Sequence, residues 1–568
     1  MRASRIEGGR RPSAAARTGL CLAAGVLALL AVSCQPSQPR EPREPRDVDL
    51  PEYLRDTVGE IARFAGREWL PVQGYGFVTG LDGTGTRTVP PGVRQEILNM
   101  MRRNHVQDAE TILASPGTAV VSVGGLLTPG IAAGERFDLE VRALPNTQTT
   151  SLEGGFLLAC DLTRVATGRT GTVRTEPLAV GRGSIFVSPF LTEEDEEGER
   201  RQTVDPRFGR ILAGGRALKT RHFRLVLLVP SVRTADQVVR LVNARFPGAA
   251  KGAEDPARID LAVPRLYRDD KTQFLDLVGA IYLRESPAAR DGRIAMLAKA
   301  LAAGKDMDAV SLCLEGFGRS VVPQLRELAD HPDAAVRFYA GRGLAHLQDA
   351  QAVHILSPIV KDDDSEFQEQ AVRALGKIRE GLGLGVLARA VDARSARVRV
   401  AAWRAIQGLM PDEFVKRVFR DQFVLSVVPT RGKPFVYVSR FDRQQLAVFG
   451  DVRVRPPVLS ETRRVTATAV AGSERLALVS RRGGKDRRVD VPLDLASITE
   501  GMVLPVESED GEEAGLGLGY SDVVGLVHEL ERAGALTGSV VLQPLEYHVP
   551  GDRPLQARPI TLEPEDVE

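Results

Sequence analysis

The sequence predicts an α+β protein, several small sheets with helices packed on them, interrupted by an all-α solenoid. Two observations carry this. Apolar positions in the second half recur at an interval of 31 residues with helical spacing inside each copy. The stretches on either side read as short β-type runs punctuated by glycine, in strand, helix, strand order. A chain of 568 residues that is 43% hydrophobic and 5% aromatic holds enough apolar side chain for about two to four separate cores.

At the N-terminus Arg2, Arg5, Arg10, Arg11 and Arg17 precede an apolar run from Leu20 to Val32. That run is too short to span a bilayer and has the length and flanks of a secretory h-region. It closes on Ala31-Val32-Ser33-Cys34, which is similar to the bacterial lipobox, where a small residue precedes a cysteine that is acylated and becomes the new N-terminus. Residues 1–33 are therefore expected to be a signal peptide and Cys34 a lipidation site that anchors the chain to a membrane. An ordinary signal with an incidental cysteine is the competing reading. Residues 34–50 contain QPSQPREPREPR from Gln35 to Arg46, a proline-rich linker that extends without packing.

Charge and cysteine usage narrow the partners. Lys+Arg number 75 and Asp+Glu 74, so a net charge of +1 supplies no general pull toward nucleic acid, which is not an expected partner. Cys21 lies in the signal and Cys34 at its end, leaving Cys160 and Cys313 for the body. These two are far apart and fall in different expected domains, so two separate buried thiols fit better than a disulfide.

The repeat sets the organisation of the second half. Ala340, Ala371 and Ala402 recur at 31 residues, as do Arg342, Arg373 and Arg404, then Leu344, Leu375 and Ile406. An earlier helix keeps the period with Leu325, Leu356 and Leu387, followed by Leu328, Ile359 and Ala390, and a weaker first copy places Ile294 and Leu297 in register. Each unit is two amphipathic helices around a polar turn such as His331-Pro332-Asp333 or Asp362-Asp363-Asp364, whose acidic residues can cap the second helix. Leu344, Leu375 and Ile406 are expected on the inner face, and Arg337, Glu369 and Arg399 on exposed turns. The pattern resembles the HEAT-like repeat family, in which an arginine at a fixed place commonly bonds the neighbouring turn. That resemblance implies an extended surface that docks a protein partner, with a partnerless spacer as the alternative.

Before the repeats, Gln73 to Thr86 reads QGYGFVTGLDGTGT, with Gly-x-x-Gly-x-Gly from Gly80 to Gly85. No lysine of the P-loop kind follows, so tight turns requiring positive φ are preferred to a phosphate cradle. Gly74-Tyr75-Gly76 and Gly80-Leu81-Asp82-Gly83-Thr84-Gly85, followed by a helix at Arg94 to Asn104, resemble the N-terminal signature of the flagellar P-ring protein family. The likeness continues in order through a strand at Ala119 to Val123, the turn and strand PGIAAGERFDL from Pro129 to Leu139, and SLEGGFLL from Ser151 to Leu158. It proceeds through a strand at Phe223 to Val229, a helix at Thr234 to Phe246, a strand at Arg258 to Val263 and a helix near Thr272 to Tyr282. It resumes weakly at Leu446 to Val454 and at Tyr520 to Leu542.

The expected domains are thus a P-ring-like α+β region at 51–285, the helical repeats as an insertion at 286–420, a second P-ring-like α+β region at 421–542 and a tail at 543–568. Excision of about 288–419 is expected to leave the α+β body folded. The resemblance implies a structural, non-enzymatic subunit that assembles with copies of itself into a periplasmic ring around the flagellar rod, beside the L-ring. The lipid anchor departs from the simple cleavable signal of that family. The alternative is therefore an outer-membrane lipoprotein scaffold, not flagellar, that binds another envelope protein on its repeats.

Catalytic chemistry has no foothold in the sequence. The histidines at 105, 222, 331, 346, 354, 528 and 548 form no His-Glu-x-x-His pair, and neither a serine elbow nor a cysteine pair at zinc spacing occurs. No catalytic residue, cofactor or metal ligand is named. His346 and His354 are expected at the surface, and the acidic run Glu193 to Glu199 as a solvated loop.

Overall fold

The computed structural model describes residues 51–568 apart from 90, 104–106, 169–170, 175, 191–192, 195–199, 202–204, 285, 420–422, 483–484, 507–514, 545–559 and 562–568. The signal peptide, Cys34, the proline-rich linker, most of the acidic run and most of the tail lie outside the described residues. Glu52–Glu568 forms one compact unit.

Its first part is a closed six-stranded antiparallel barrel. Leu70–Thr79 pairs with Ala119–Leu127, which pairs with Arg136–Ala143, then Phe208–Ala217, Ala179–Ser184 and Phe156–Leu162, and the last returns to Val78 and Thr79. Alternation drives the closure: Val121, Val123, Leu139, Val141 and Leu157 are buried, while Ser122, Gly124, Asp138, Glu140, Phe156 and Leu158 between or beside them are more exposed. Helix Pro91–Arg103 covers the barrel with Ile97, Leu98 and Met101. The sequence anticipates several small sheets with packed helices, and the closure of one of them into a barrel is added by the structure.

The glycine run is only partly a set of turns. Gly80 and Gly83 hold positive φ, whereas Gly76 and Gly85 do not. A Cβ at Gly76 would lie 2.5 Å from Leu157 Cδ1, and one at Gly85 would lie 2.0 Å from the Thr118 carbonyl oxygen. Close backbone approach, not left-handed geometry, demands glycine there.

Beside the barrel lies an antiparallel sheet in the order Ala62–Ala65, Phe223–Leu227, Arg258–Leu261, Ala250–Gly252. Helix Val232–Arg245, capped by the Ser231 hydroxyl, and helix Lys271–Gly279, capped by Asp270, pack on it. Phe246, Tyr267 and Phe274 form an aromatic triad in its core.

The repeats follow as helices Pro287–Ala302, Met307–Gly316, Val322–Glu327, Ala334–His346, Gln351–Lys361, Gln368–Leu375, Leu384–Ala390 and Ala396–Leu409. The 31-residue register holds in three dimensions. Ala340, Ala371 and Ala402, then Leu344, Leu375 and Ile406, then Leu325, Leu356 and Leu387 are all buried in one continuous core.

The C-terminal body joins a mixed five-stranded sheet to an antiparallel four-stranded meander. The first runs Val415–Val418, Val424–Val428, Gln445–Phe449, Phe435–Val438, Ser539–Leu542, and the second runs from Val458–Glu461 to Lys485–Pro492. Helices Leu495–Val503 and Tyr520–Arg532 lie against them. Cys160 and Cys313 are buried free thiols, each pushed up to about 12 by burial, so both stay protonated.

Candidate functional site

The features that can carry function are joints, and each is built from residues far apart in the chain. Stacked repeats leave an apolar face open at each terminus, which must be covered. At the C-terminal end Trp403 is fully buried, 5.6 Å from the Tyr437 ring and 5.8 Å from that of Phe449. Phe435 stacks on Phe449 at 4.2 Å, and both belong to the same core as the repeats. Thr430 donates to the Val391 carbonyl, and the Arg431 amide donates to Asp392 at 2.7 Å, where a further repeat would otherwise bind. The five-stranded sheet thus acts as the terminal cap.

At the N-terminal end the joint is polar and buried. The Glu315 carboxylate has no exposed surface, accepts from Tyr267 Oη at 3.3 Å and lies 2.9 Å from His346 Nδ1. Gln273 reaches the same imidazole nitrogen at 2.8 Å, and Arg245 Nε donates to the Glu315 carbonyl at 3.2 Å. Burial, then the Glu315 charge, pushes the Tyr267 hydroxyl up, so it remains a donor. His346 is therefore not the surface residue expected; its imidazole is drawn in by a buried carboxylate that needs donors. His354 is exposed, as expected. With both ends of the array sharing cores with the α+β parts, the expectation that it can be excised cleanly is opposed by the packing.

The repeat's polar position also differs from the expectation. Arg337, expected on an exposed turn, is half-buried and donates to the carbonyls of His331 and Pro332. The equivalents 31 residues on are Gln368, which donates to the Val360 carbonyl, and Arg399, which donates to the Lys433 carbonyl at 2.8 Å. Arg399, also expected to be exposed, is buried with its guanidinium 4.5 Å from the Phe435 ring. These three hold the turn that precedes or abuts their helix. Arg342, Arg373 and Arg404 instead bond Asp308, Glu369 and the Tyr437 hydroxyl respectively. Glu369, the third residue expected on an exposed turn, is half-buried and pairs with Arg373 and Arg397. A long side chain at the start of a helix folds back toward its N-terminal turn, which the sequence pattern alone does not show.

A third joint closes the barrel onto the C-terminal body. Phe186 and Leu212 of the barrel side are buried in the C-terminal core, and the Phe186 ring lies 5.4 Å from Tyr520. The Asp138 carboxylate accepts the amides of Ala213 at 2.7 Å and Asp442 at 3.0 Å. Burial raises its pKa to about 6, and the Asp442 charge adds to this, against the lowering by the two amides and Arg210. Arg464 bridges the joint as a buried cation, 3.1 Å from Asp522 and 3.4 Å from Asp82 in the glycine run. Among the described residues no group of His, Cys, Asp and Glu could hold a metal, and no helix is long and apolar enough to cross a membrane.

The family model described as flagellar P-ring protein matches residues 57–291, which take in the barrel and the adjoining sheet. A flagellar P-ring protein of Thermotoga maritima is 31% identical over 242 residues, covering 41% of this chain and 68% of that relative. The chain belongs to the flagellar P-ring protein family. Two more relatives of that name agree: one from Anaeromyxobacter dehalogenans, 30% identical over 240 residues, and one from Caulobacter vibrioides, 31% identical over 228. They are covered to 62% and 57% of their length, and make up 41% and 38% of this chain. The chain therefore spans roughly three-fifths to two-thirds of the P-ring proteins it matches. A second family model, HEAT repeats, matches residues 322–409. The P-ring match thus ends inside helix Pro287–Ala302, the first helix of the array.

Proposed function

We propose that this protein is a structural subunit that assembles with copies of itself into a periplasmic ring around the flagellar rod, beside the L-ring. The observation that carries the reading is the P-ring family match over 57–291, which falls on a barrel and sheet jointed to the rest of the chain as one compact unit. In this reading residues 51–285 and 421–542 are two parts of one P-ring-like body, 286–420 an insertion and 543–568 a tail. A lipid on Cys34 ties the mature chain to the outer membrane through the linker at 34–50. No cofactor or catalytic group is required. Negative-stain microscopy of native protein extracted in detergent tests the assembly: closed rings are expected, and monomers or small oligomers at all concentrations would remove the ring reading. Cys34→Ala should abolish fatty-acid labelling and release the protein from the membrane fraction. A wild type that takes up no label would remove the anchor.

A second reading, an outer-membrane lipoprotein scaffold outside the flagellum, is favoured by one surface of the array. Arg326, His331, Arg337, His354 and Pro358 line a groove on the turn side of successive repeats. An envelope protein bound there, in a genome without other basal-body parts, would decide for the scaffold.

A further inference from the structure

Gly154, in the Ser151 to Leu158 motif, has a partner more than 300 residues away. Gly154 has φ +71, and a Cβ built on it would lie 2.2 Å from Arg464 Nη1 and 2.8 Å from its Cζ. Arg464 is buried, with 8% of its side chain exposed, and its fork is filled from both sides of the joint. Nη1 donates to Asp522 Oδ1 and Oδ2 at 3.3 and 3.1 Å, and Nε faces Asp82 Oδ2 at 3.4 Å. Asp522 is 2% exposed in its side chain and also accepts the Gly519 amide at 2.9 Å at the start of helix Tyr520–Arg532. Its orientation is therefore set before Arg464 arrives. Glu153, raised by burial and then by the Asp522 charge, borders the same space.

We infer that the loops at Gly80–Gly85 and Ser151–Gly155 form a socket for the Arg464 side chain, and that this plug fixes the register of the C-terminal body on the barrel. A buried guanidinium without its carboxylates is strongly unfavourable, so a body docked in any other register is penalised. The apolar contacts of Phe186 and Leu212 supply adhesion but little angular definition, whereas a two-sided fork admits one orientation. The inference deepens the ring reading and rests on it in one respect: a subunit whose two P-ring-like parts are misregistered cannot present one consistent surface to its neighbours.

The test is a double-mutant cycle in the full-length protein. G154A in the wild-type background carries both left-handed strain and the clash with Arg464, whereas in the R464A background only the strain remains. The first should raise the unfolding equilibrium constant by about tenfold more than the second. Hydrogen exchange at the Gly155 and Gly519 amides should rise in R464A. If R464A gives no soluble protein, R464K serves, since it keeps the charge but loses the fork, and it should show the same loss of coupling. Equal effects of G154A in both backgrounds, within about twofold, together with unchanged exchange, would overturn the socket. Microscopy of the same proteins keeps the two readings apart. Rings that are absent from wild type remove the ring proposal and leave the cycle standing, whereas rings lost only in R464A tie the socket to assembly. Wild-type numbers of rings in R464A would overturn that tie.

Discussion

A truncation in the middle of the repeats tests whether the array is a free solenoid or part of a shared core. Leu375 has no exposed surface and ends helix Gln368–Leu375. Leu375→Ala removes its isobutyl tip and leaves a void walled in part by backbone, since the Cβ position of Gly383 lies only 3.7 Å from Leu375 Cδ2. Backbone collapses poorly into a cavity, so the cost belongs in the upper part of the usual range, about 3–4 kcal/mol. In a free solenoid that loss would be felt by nearest neighbours, and the array would melt on its own. Here the core that contains Leu375 runs from Ala280 to Phe449 and includes the aromatic joint at Trp403.

The chain supplies its own reporter. It has two tryptophans, Trp69 and Trp403, and the second sits at the joint between array and sheet. In a Trp69→Phe background, Trp403 fluorescence reports that joint while circular dichroism at the helical band reports the array. Leu375→Ala should move both urea transitions together, by about 1 M or somewhat more for a slope of roughly 3 kcal/mol/M. Helical signal lost well before the fluorescence change would refute the shared core. A shift below about 0.2 M would refute the burial.

Three further outcomes follow from the joints. Asp138 has a folded pKa of about 6 against an ordinary 3.8, so it favours the folded state below 3.8 and that contribution is lost as pH rises through about 6. The gap amounts to roughly 3 kcal/mol at full burial and about 1–2 once screening of this half-buried group is allowed for, so Asp138→Asn should remove about that much of the fall in stability between pH 3.8 and about 6. An unchanged slope in urea midpoint against pH would contradict it. Arg399→Ala strips Phe435 of its covering cation and the Lys433 carbonyl of a donor, and should cost about 2–3 kcal/mol, against less than about 0.5 for Arg397→Ala on the exposed side of the same helix, by chemical denaturation. Deleting about 288–419 with a flexible joint should leave Phe435, Tyr437 and Phe449 uncovered and give aggregated or dye-binding protein; a soluble product with a cooperative transition would show that the caps are dispensable.

The sequence made helices and repeats legible because their information is local. Helix Pro91–Arg103 was expected at 94–104 and helix Val232–Arg245 at 234–246, and every apolar residue placed by the 31-residue period on the second helix is buried. Strands were found but not their partners: Phe156–Leu162 was foreseen as an element, yet its pairing with Ala179–Ser184 to close a barrel depends on contacts between runs that alternate alike. The joints were invisible for a sharper reason. Glu315, His346 and Arg399 look like any polar residue on a helix, and only the arrival of Tyr267 or Phe435 from another part of the chain makes them interior. Gly154 was read through family likeness, while its steric cause sits at Arg464.

The three joints together explain how a helical array can sit between two α+β parts of one compact unit. The barrel meets the adjoining sheet through Lys271 and Glu135, 2.9 Å apart, and that sheet meets the array at Glu315 and His346. The array meets the five-stranded sheet at Trp403, and the C-terminal body returns to the barrel at Arg464, Asp138 and Phe186. The contacts therefore form a closed circuit, in which the chain enters and leaves the array at fixed points. Free solenoids bend because each repeat touches only its neighbours. Bending this one would have to open a joint, exposing either a stacked aromatic pair or a buried carboxylate, and both cost several times thermal energy. The array is held as a strut, and whatever surface it presents, it presents with one curvature.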